Sequence, residues 1–181
     1  MLNNGQDLLN ACKKGDVRAQ RIFYDQYKGK MFVLCLRYSN SREDAEDILQ
    51  EGFIKVFRDL GQYRGQGSLE GWIRKVVLRV ALDHLRKQKR MIQTTDISEQ
   101  EFRLPSDDFE FEEGDENAKG LIKLMQKMPV GFRTVLNLYV LEGYTHPQIA
   151  EVLGISVETS KSQLNRAKKY LKNLLENSLT K

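Results

Sequence analysis

Three carboxylates, Asp44, Asp47 and Glu51, are spaced three and four residues apart, so a helix through them would set them on neighbouring turns of one side. Acids so placed could hold a divalent cation for phosphoryl-transfer or nuclease chemistry. No further acid or histidine stands where a two-metal site would need it. The two cysteines, Cys12 and Cys35, and the two histidines, His84 and His146, are not at metal-ligand spacing either. Both cysteines sit in apolar-periodic stretches and read as small core residues. No catalytic residue, metal or cofactor is expected, and the chain reads as a non-enzyme.

The side chains with recognisable work are those that read or hold nucleic acid. Between Tyr144 and Ser156 the chain spells a helix-turn-helix. Thr145 and Gln148 are placed for a capping box, and Pro147 is tolerated in a first turn because its missing N–H has no partner there. Ile149, Ala150 and Leu153 point inward, Gly154 takes the sharp turn, Ile155 plugs the corner and Ser156 caps the second helix. That second helix buries Ser160, Leu164, Ala167, Leu171 and Leu174. It turns Glu158, Thr159, Lys161, Ser162, Asn165, Arg166 and Lys169 outward, the arrangement of a recognition helix in the major groove. Arg and Asn can bond base edges twice, while Lys and Ser suit phosphates.

A second surface precedes it. Tyr63, Arg64 and Trp72 flank a glycine-rich loop, and the next helix carries Arg74, Lys75, Arg79, Arg86, Lys87, Lys89 and Arg90 against two acids, Glu70 in its first turn and Asp83. Aromatic rings beside bases suit unpaired strands, because any base can stack on them. Such a loop could receive a base flipped out of duplex.

The elements that must position these residues are helical. Apolar periodicity predicts helices over 5–14, 16–39, 42–60 and 68–90, with Asp16, Ser41 and Ser68 as N-caps. Within 42–60, Ala45, Ile48, Leu49, Phe53, Val56 and Leu60 form one apolar face. Further helices are predicted over 117–127 (with Leu121, Leu124, Met125 and Met128), 130–142 (with Phe132, Val135, Leu136, Leu138 and Tyr139 apolar), 146–153 and 157–175. The expected fold is all-α, with two helical domains over 1–95 and 118–181 and a flexible acidic linker over 96–117.

Charge follows the same division. Residues 1–95 hold 18 Lys+Arg against 11 Asp+Glu, residues 96–117 hold ten acids against Arg103, and residues 118–181 hold ten bases against four acids. Two basic blocks about an acidic one suggest a polyanionic partner for the blocks. With no signal peptide and no apolar run long enough to span a bilayer, the cytosol is the expected compartment.

Taken in order, Glu43–Phe53, Tyr63-Arg64-Gly65, Gly71-Trp72-Ile73, Ala81–Lys87 and the helix-turn-helix ending Lys161–Ala167 resemble a group IV (extracytoplasmic-function) sigma factor of the sigma-70 family. The resemblance covers nearly the whole chain. It implies a region-2-like bundle over 1–95 and a region-4-like helix-turn-helix domain over 118–181. It further implies that Asp47, Gln50 and Glu51 dock on the clamp helices of the largest subunit of core RNA polymerase. Tyr63, Arg64, Trp72, Arg74, Lys75, Arg79, Arg86 and Lys87 would hold and melt the promoter element near the start site as single strand. The 157–169 helix would read the distant element as duplex, and the linker would thread the RNA exit channel. An anti-sigma factor is an implied partner, and membrane insertion is not. The sequence departs from the family pattern at Arg79-Val80, where an Asn-Thr-like pair is common, and at Glu158, Ser160 and Gln163 of the reading helix. A homodimeric helix-turn-helix regulator working without polymerase is the alternative; it leaves the Trp loop and basic helix unexplained.

Overall fold

The structure, a computed structural model, describes residues 5–94 and 116–179. They form eight α-helices with no strand among the described residues. Most of the 96–117 linker therefore lies outside the described residues. The chain divides into two compact units, one of residues 1–35 and 43–84 and one of residues 36–42 and 85–181.

The first unit begins with α1 (Gly5–Lys13), which buries Leu8, Leu9 and Cys12. Gly15 ends it at φ +81°, a left-handed conformation that costs glycine nothing. Asp16 then caps α2 (Val17–Tyr38) as predicted: its Oδ1 accepts from the Ala19 N–H at 2.9 Å. Next comes α3 (Arg42–Asp59), whose buried face is Ala45, Ile48, Leu49, Gly52, Phe53 and Val56. Leu60 is buried as expected, but in a short 3₁₀ turn over Leu60–Gln62 rather than in the helix.

The core of this unit is aromatic where α2 meets α3. Phe23 lies 5.7 Å from Phe57 between ring centroids, and Tyr24 meets Phe53 edge-on at 4.7 Å. On its other side α3 approaches α4 (Leu69–Thr94) closely, with Gly52 against Val77. Ser68 Oγ caps α4, accepting from the Gly71 N–H at 3.0 Å. The helix runs past the expected end near Arg90, because residues 87–94 contain neither glycine nor proline to stop it.

In the second unit, α5 (Glu116–Gln126) buries Ile122, Met125 and Gln126, while Leu121 is exposed and Leu124 half-buried. Of the apolar positions expected here, Met125 and Met128 are buried, whereas Leu121 yields its place to Ile122, since Leu121-Ile122 offers two apolar choices. Pro129 precedes α6 (Val130–Leu136). The single helix expected over 130–142 instead widens into a π turn over Asn137–Leu141, with the Glu142 N–H reaching back to the Asn137 carbonyl. The wider turn keeps Leu138 buried but rotates Tyr139, one of the apolar positions expected in this helix, outward to 40% exposure.

Arg133 on α6 is buried and donates to Gln126 Oε1 at 2.9 Å and to Asn40 Oδ1 at 2.8 Å. Burial pulls its pKa down to about 10, so it stays charged at neutral pH. Nearby, Arg37 pairs with Glu142 at 3.2 Å. The helix-turn-helix, α7 (His146–Leu153) and α8 (Val157–Leu179), completes the unit, with α8 packing on α6 and α7 packing on α8 and the π turn.

Candidate nucleic-acid and polymerase interfaces

On α3 the buried stripe leaves the opposite side to solvent. Asp47, Gln50 and Glu51 are all exposed there, within one turn of each other. Glu43 and Glu46 are exposed on the same helix, and so is Ile54 at 69%. These three were not among the predicted site residues. Their signal was available, since Asp47, Gln50, Glu51 and Ile54 recur at helical spacing. Asp44 takes a different course. It is half-buried, and its Oδ1 lies 3.7 Å from His84 Nε2 on α4. The three acids therefore do not converge, and no group of three metal-ligating side chains occurs among the described residues.

The glycine-rich loop is a closed structure. Gly65 and Gly67 adopt φ of +76° and +78°, values that only glycine takes without strain. These turns let the Tyr63 hydroxyl donate to the Gly67 carbonyl at 2.8 Å across the loop. The Tyr63 ring stands 5.8 Å from that of Trp72, and both are half-buried. Lys13 Nζ donates to the Tyr63 carbonyl at 3.3 Å and so ties the loop to α1. Gly71 is required locally, because a Cβ there would stand 2.9 Å from the capping Ser68 hydroxyl. Tyr63 and Trp72 thus form a paired aromatic wall beside the exposed Arg64.

Along α4, Trp72, Lys75 and Arg79 fall on one stripe, with Lys75 and Arg79 exposed. Arg74 is half-buried and lies off that stripe. Arg86 and Lys87 belong to the second unit and are exposed, and Arg86 Nε donates to the Val152 carbonyl at 3.0 Å. Arg86 therefore makes a contact within its own unit that the sequence did not suggest.

The helix-turn-helix is built as its residues predict. The Gln148 N–H donates to Thr145 Oγ1 at 3.4 Å, and the Thr145 N–H donates to Gln148 Oε1 at 2.8 Å. Gly154 turns at φ 65°, ψ 39°, and Ser156 Oγ accepts from the Thr159 N–H at 3.0 Å. On α8, Ser160, Leu164 and Ala167 are buried, whereas Leu171 and Leu174 are only half-buried toward the C-terminal end. All seven predicted outward residues are exposed. Ser162, Asn165 and Lys169 run down the middle of that face, with Arg166 to one side and Lys161 to the other. Thr159 has a second occupation, its hydroxyl lying 2.8 Å from that of Ser156 in the cap. Lys168 is exposed beside this face and was missed.

The family profile for sigma-70 region 2 matches residues 23–91, and that for sigma-70 region 4 matches residues 119–171. The chain belongs to the sigma-70 family of RNA polymerase sigma factors. Over its length the sigma factor is 28% identical to the RNA polymerase sigma-H factor of Pseudomonas aeruginosa, covering 97% of both chains. It is 26% identical to the ECF RNA polymerase sigma-E factor of Haemophilus influenzae, covering 94% of this chain and 95% of the relative. Similarity to ECF relatives end to end makes it a sigma factor of the extracytoplasmic-function type. In fold it is similar to the sigma factor RpoE of Bartonella quintana, solved in complex with the anti-sigma factor NepR, with a TM-score of 0.53, 19% identity and coverage of 88% of this chain and 98% of that one.

Proposed function

We propose that this sigma factor works as two recognition modules joined by a tether. Residues 1–95 bind core RNA polymerase and melt the promoter element near the start site, residues 96–117 connect, and residues 118–181 read the distant element as duplex. The observation that carries the reading is the outward face of α8. A reading helix with Ser162, Asn165, Arg166 and Lys169 exposed stands behind a complete capping box, and it lies in the same chain as a preformed aromatic loop.

In this reading Asp47, Gln50 and Glu51 meet the clamp helices of the polymerase's largest subunit. The like charges of Asp47 and Glu51 repel mildly at their spacing, and a basic partner helix relieves the repulsion. Tyr63, Arg64 and Trp72 take an unpaired base of the near element, while Arg74, Lys75, Arg79, Arg86 and Lys87 hold phosphates of the adjoining strand. Glu158, Thr159, Lys161, Ser162, Asn165, Arg166 and Lys169 face the distant element. The chain makes and breaks no bonds. It acts in the cytoplasm, and an anti-sigma factor is a partner able to occlude these faces. No observation favours the homodimeric regulator.

The test is capture of core polymerase by the purified chain. Asp47→Arg or Glu51→Lys abolishes co-purification while the helical circular-dichroism signal stays unchanged. Retained binding in both variants would remove α3 as the docking element.

A further inference from the structure

Among the described residues of the reading helix, three are buried, and one of these is polar. Ser160 is fully buried in the row it shares with Leu164 and Ala167. A buried hydroxyl needs a hydrogen-bond partner, and Ser160 Oγ lies 2.9 Å from Nδ1 of His146, the first residue of α7. The imidazole is fixed from the other side as well. It stacks on Tyr139, with centroids 4.7 Å apart and planes inclined by 24°. Tyr139 faces it because the π turn rotates that side chain away from the core. Three elements, the π turn, α7 and α8, therefore meet through one ring and one hydroxyl.

We propose that His146 and Ser160 are a positioning pair that sets the rotation of α8 about its own axis, and with it the sequence selectivity of the outward face, although neither residue faces DNA. The inference rests on the reading of α8 as the duplex-reading helix. Apolar contacts such as those of Leu164 tolerate small rotations, because dispersion is not directional. A hydrogen bond is directional and weakens steeply once bent. Side chains ride at roughly 5–6 Å from a helix axis, so a rotation of about 10° carries their outer atoms about 1 Å. That displacement is enough to spoil a two-bond contact to a base edge while a phosphate contact from a flexible lysine adapts. Loss of the pair should therefore erode discrimination between sequences before it erodes binding to DNA in general.

The experiment uses the full chain bound to core polymerase. The probes are duplexes with a fixed near element and a distant element that is either the best sequence selected from a randomised library or a scrambled one. The measured quantity is the ratio of the two affinities, with the thermal midpoint of each variant recorded alongside. His146→Phe keeps a ring on Tyr139 but removes the hydrogen bond, and Ser160→Ala removes the same bond from the other side. Each lowers the ratio roughly fivefold, the double variant loses no more than either single one, and binding to scrambled duplex is unchanged. His146→Asn, which gives up the stack but restores a hydrogen-bonding atom near Nδ1, recovers the ratio.

An equal loss of affinity for both duplexes, additive losses in the double variant, or a ratio that stays at the wild-type value overturns the proposal. Asn165→Ala and Arg166→Ala serve as the companion measurement. If they lower the ratio and His146→Phe does not, the positioning role alone is wrong. If they too leave it unchanged, α8 is not the reader and both claims fall.

Discussion

Replacing Gly52 by alanine tests how closely α3 must approach α4 to present the docking face. A Cβ at this position would stand 3.1 Å from Val77 Cγ2, 3.4 Å from Cγ1 and 3.6 Å from the Val77 Cα. Carbon atoms settle near 3.5–4.0 Å, so the two helices must part by about 0.5 Å or the valine must turn. Val77 is fully buried and β-branched, with essentially one rotamer in a helix, so turning is closed to it. Overpacking of this kind costs about 1–3 kcal/mol, and alanine recovers about 1 kcal/mol of helix propensity over glycine. The net expectation is a destabilisation of about 1 kcal/mol, which lowers the melting midpoint of a unit this size by roughly 4–8 °C. Glu51 and Phe53 flank the glycine, so polymerase capture weakens along with stability. The sign reverses in a Val77→Ala background, where the space is free and only the propensity gain remains. Thermal melts of the four proteins of this cycle decide the matter. A Gly52→Ala variant as stable as the parent, or the same loss in both backgrounds, would falsify the close-approach argument.

Other perturbations have equally definite outcomes. Thr145→Ala removes the acceptor that caps α7 and costs about 1 kcal/mol, read as a lower denaturant midpoint; Gln148→Ala added to it costs little more if the two form one box. Trp72→Ala slows open-complex formation, followed by permanganate reactivity of unpaired thymines, while first binding of duplex promoter is nearly unchanged; a variant that simply unfolds would show that the indole is core. Cys12 and Cys35 are buried, and burial together with Asp16 pushes the Cys12 thiol pKa upward. Both thiols therefore resist alkylation at neutral pH until denaturant is added, and rapid labelling of the folded chain would contradict this packing.

The helices were legible wherever a cap and an apolar stripe agreed. Asp16, Ser68, Thr145 and Ser156 all cap as their positions suggest, because a short polar side chain before an apolar-periodic run has few competing uses. Illegible features involved choices among near-equals. Leu121-Ile122 could each begin an inward stripe, and only packing selected Ile122. The π turn after Leu136 carries no sequence mark, since one extra residue in a turn is settled by which of Leu138 and Tyr139 the core accepts. Leu171 and Leu174 follow the periodicity but only half reach the core at their end of α8. At the candidate site, exposure of the outward residues followed from helical spacing alone. The contacts Tyr63–Gly67 and His146–Ser160 did not, because each closes across a loop or between two helices.

The places where this chain gives up local stability coincide with the faces proposed to contact something else. A solvated helix face gains nothing from setting Asp47 and Glu51 four residues apart, where they repel by about 0.2–0.5 kcal/mol, nor from exposing Ile54 beside them. A loop needed only to join α3 to α4 has no use for two positive-φ glycines that bring a tyrosine hydroxyl back onto its own backbone. The outer face of α8 carries Ser162 and Asn165 where alanine, lysine or glutamate would hold a helix better. Each concession is small, and each buried face beneath them is conventionally apolar except at Ser160. Stability therefore resides in the inner stripes of α3, α4 and α8, and recognition in the outer ones. A substitution confined to an outer stripe should change binding and leave the fold alone, as Asp47→Arg and Arg166→Ala are expected to do.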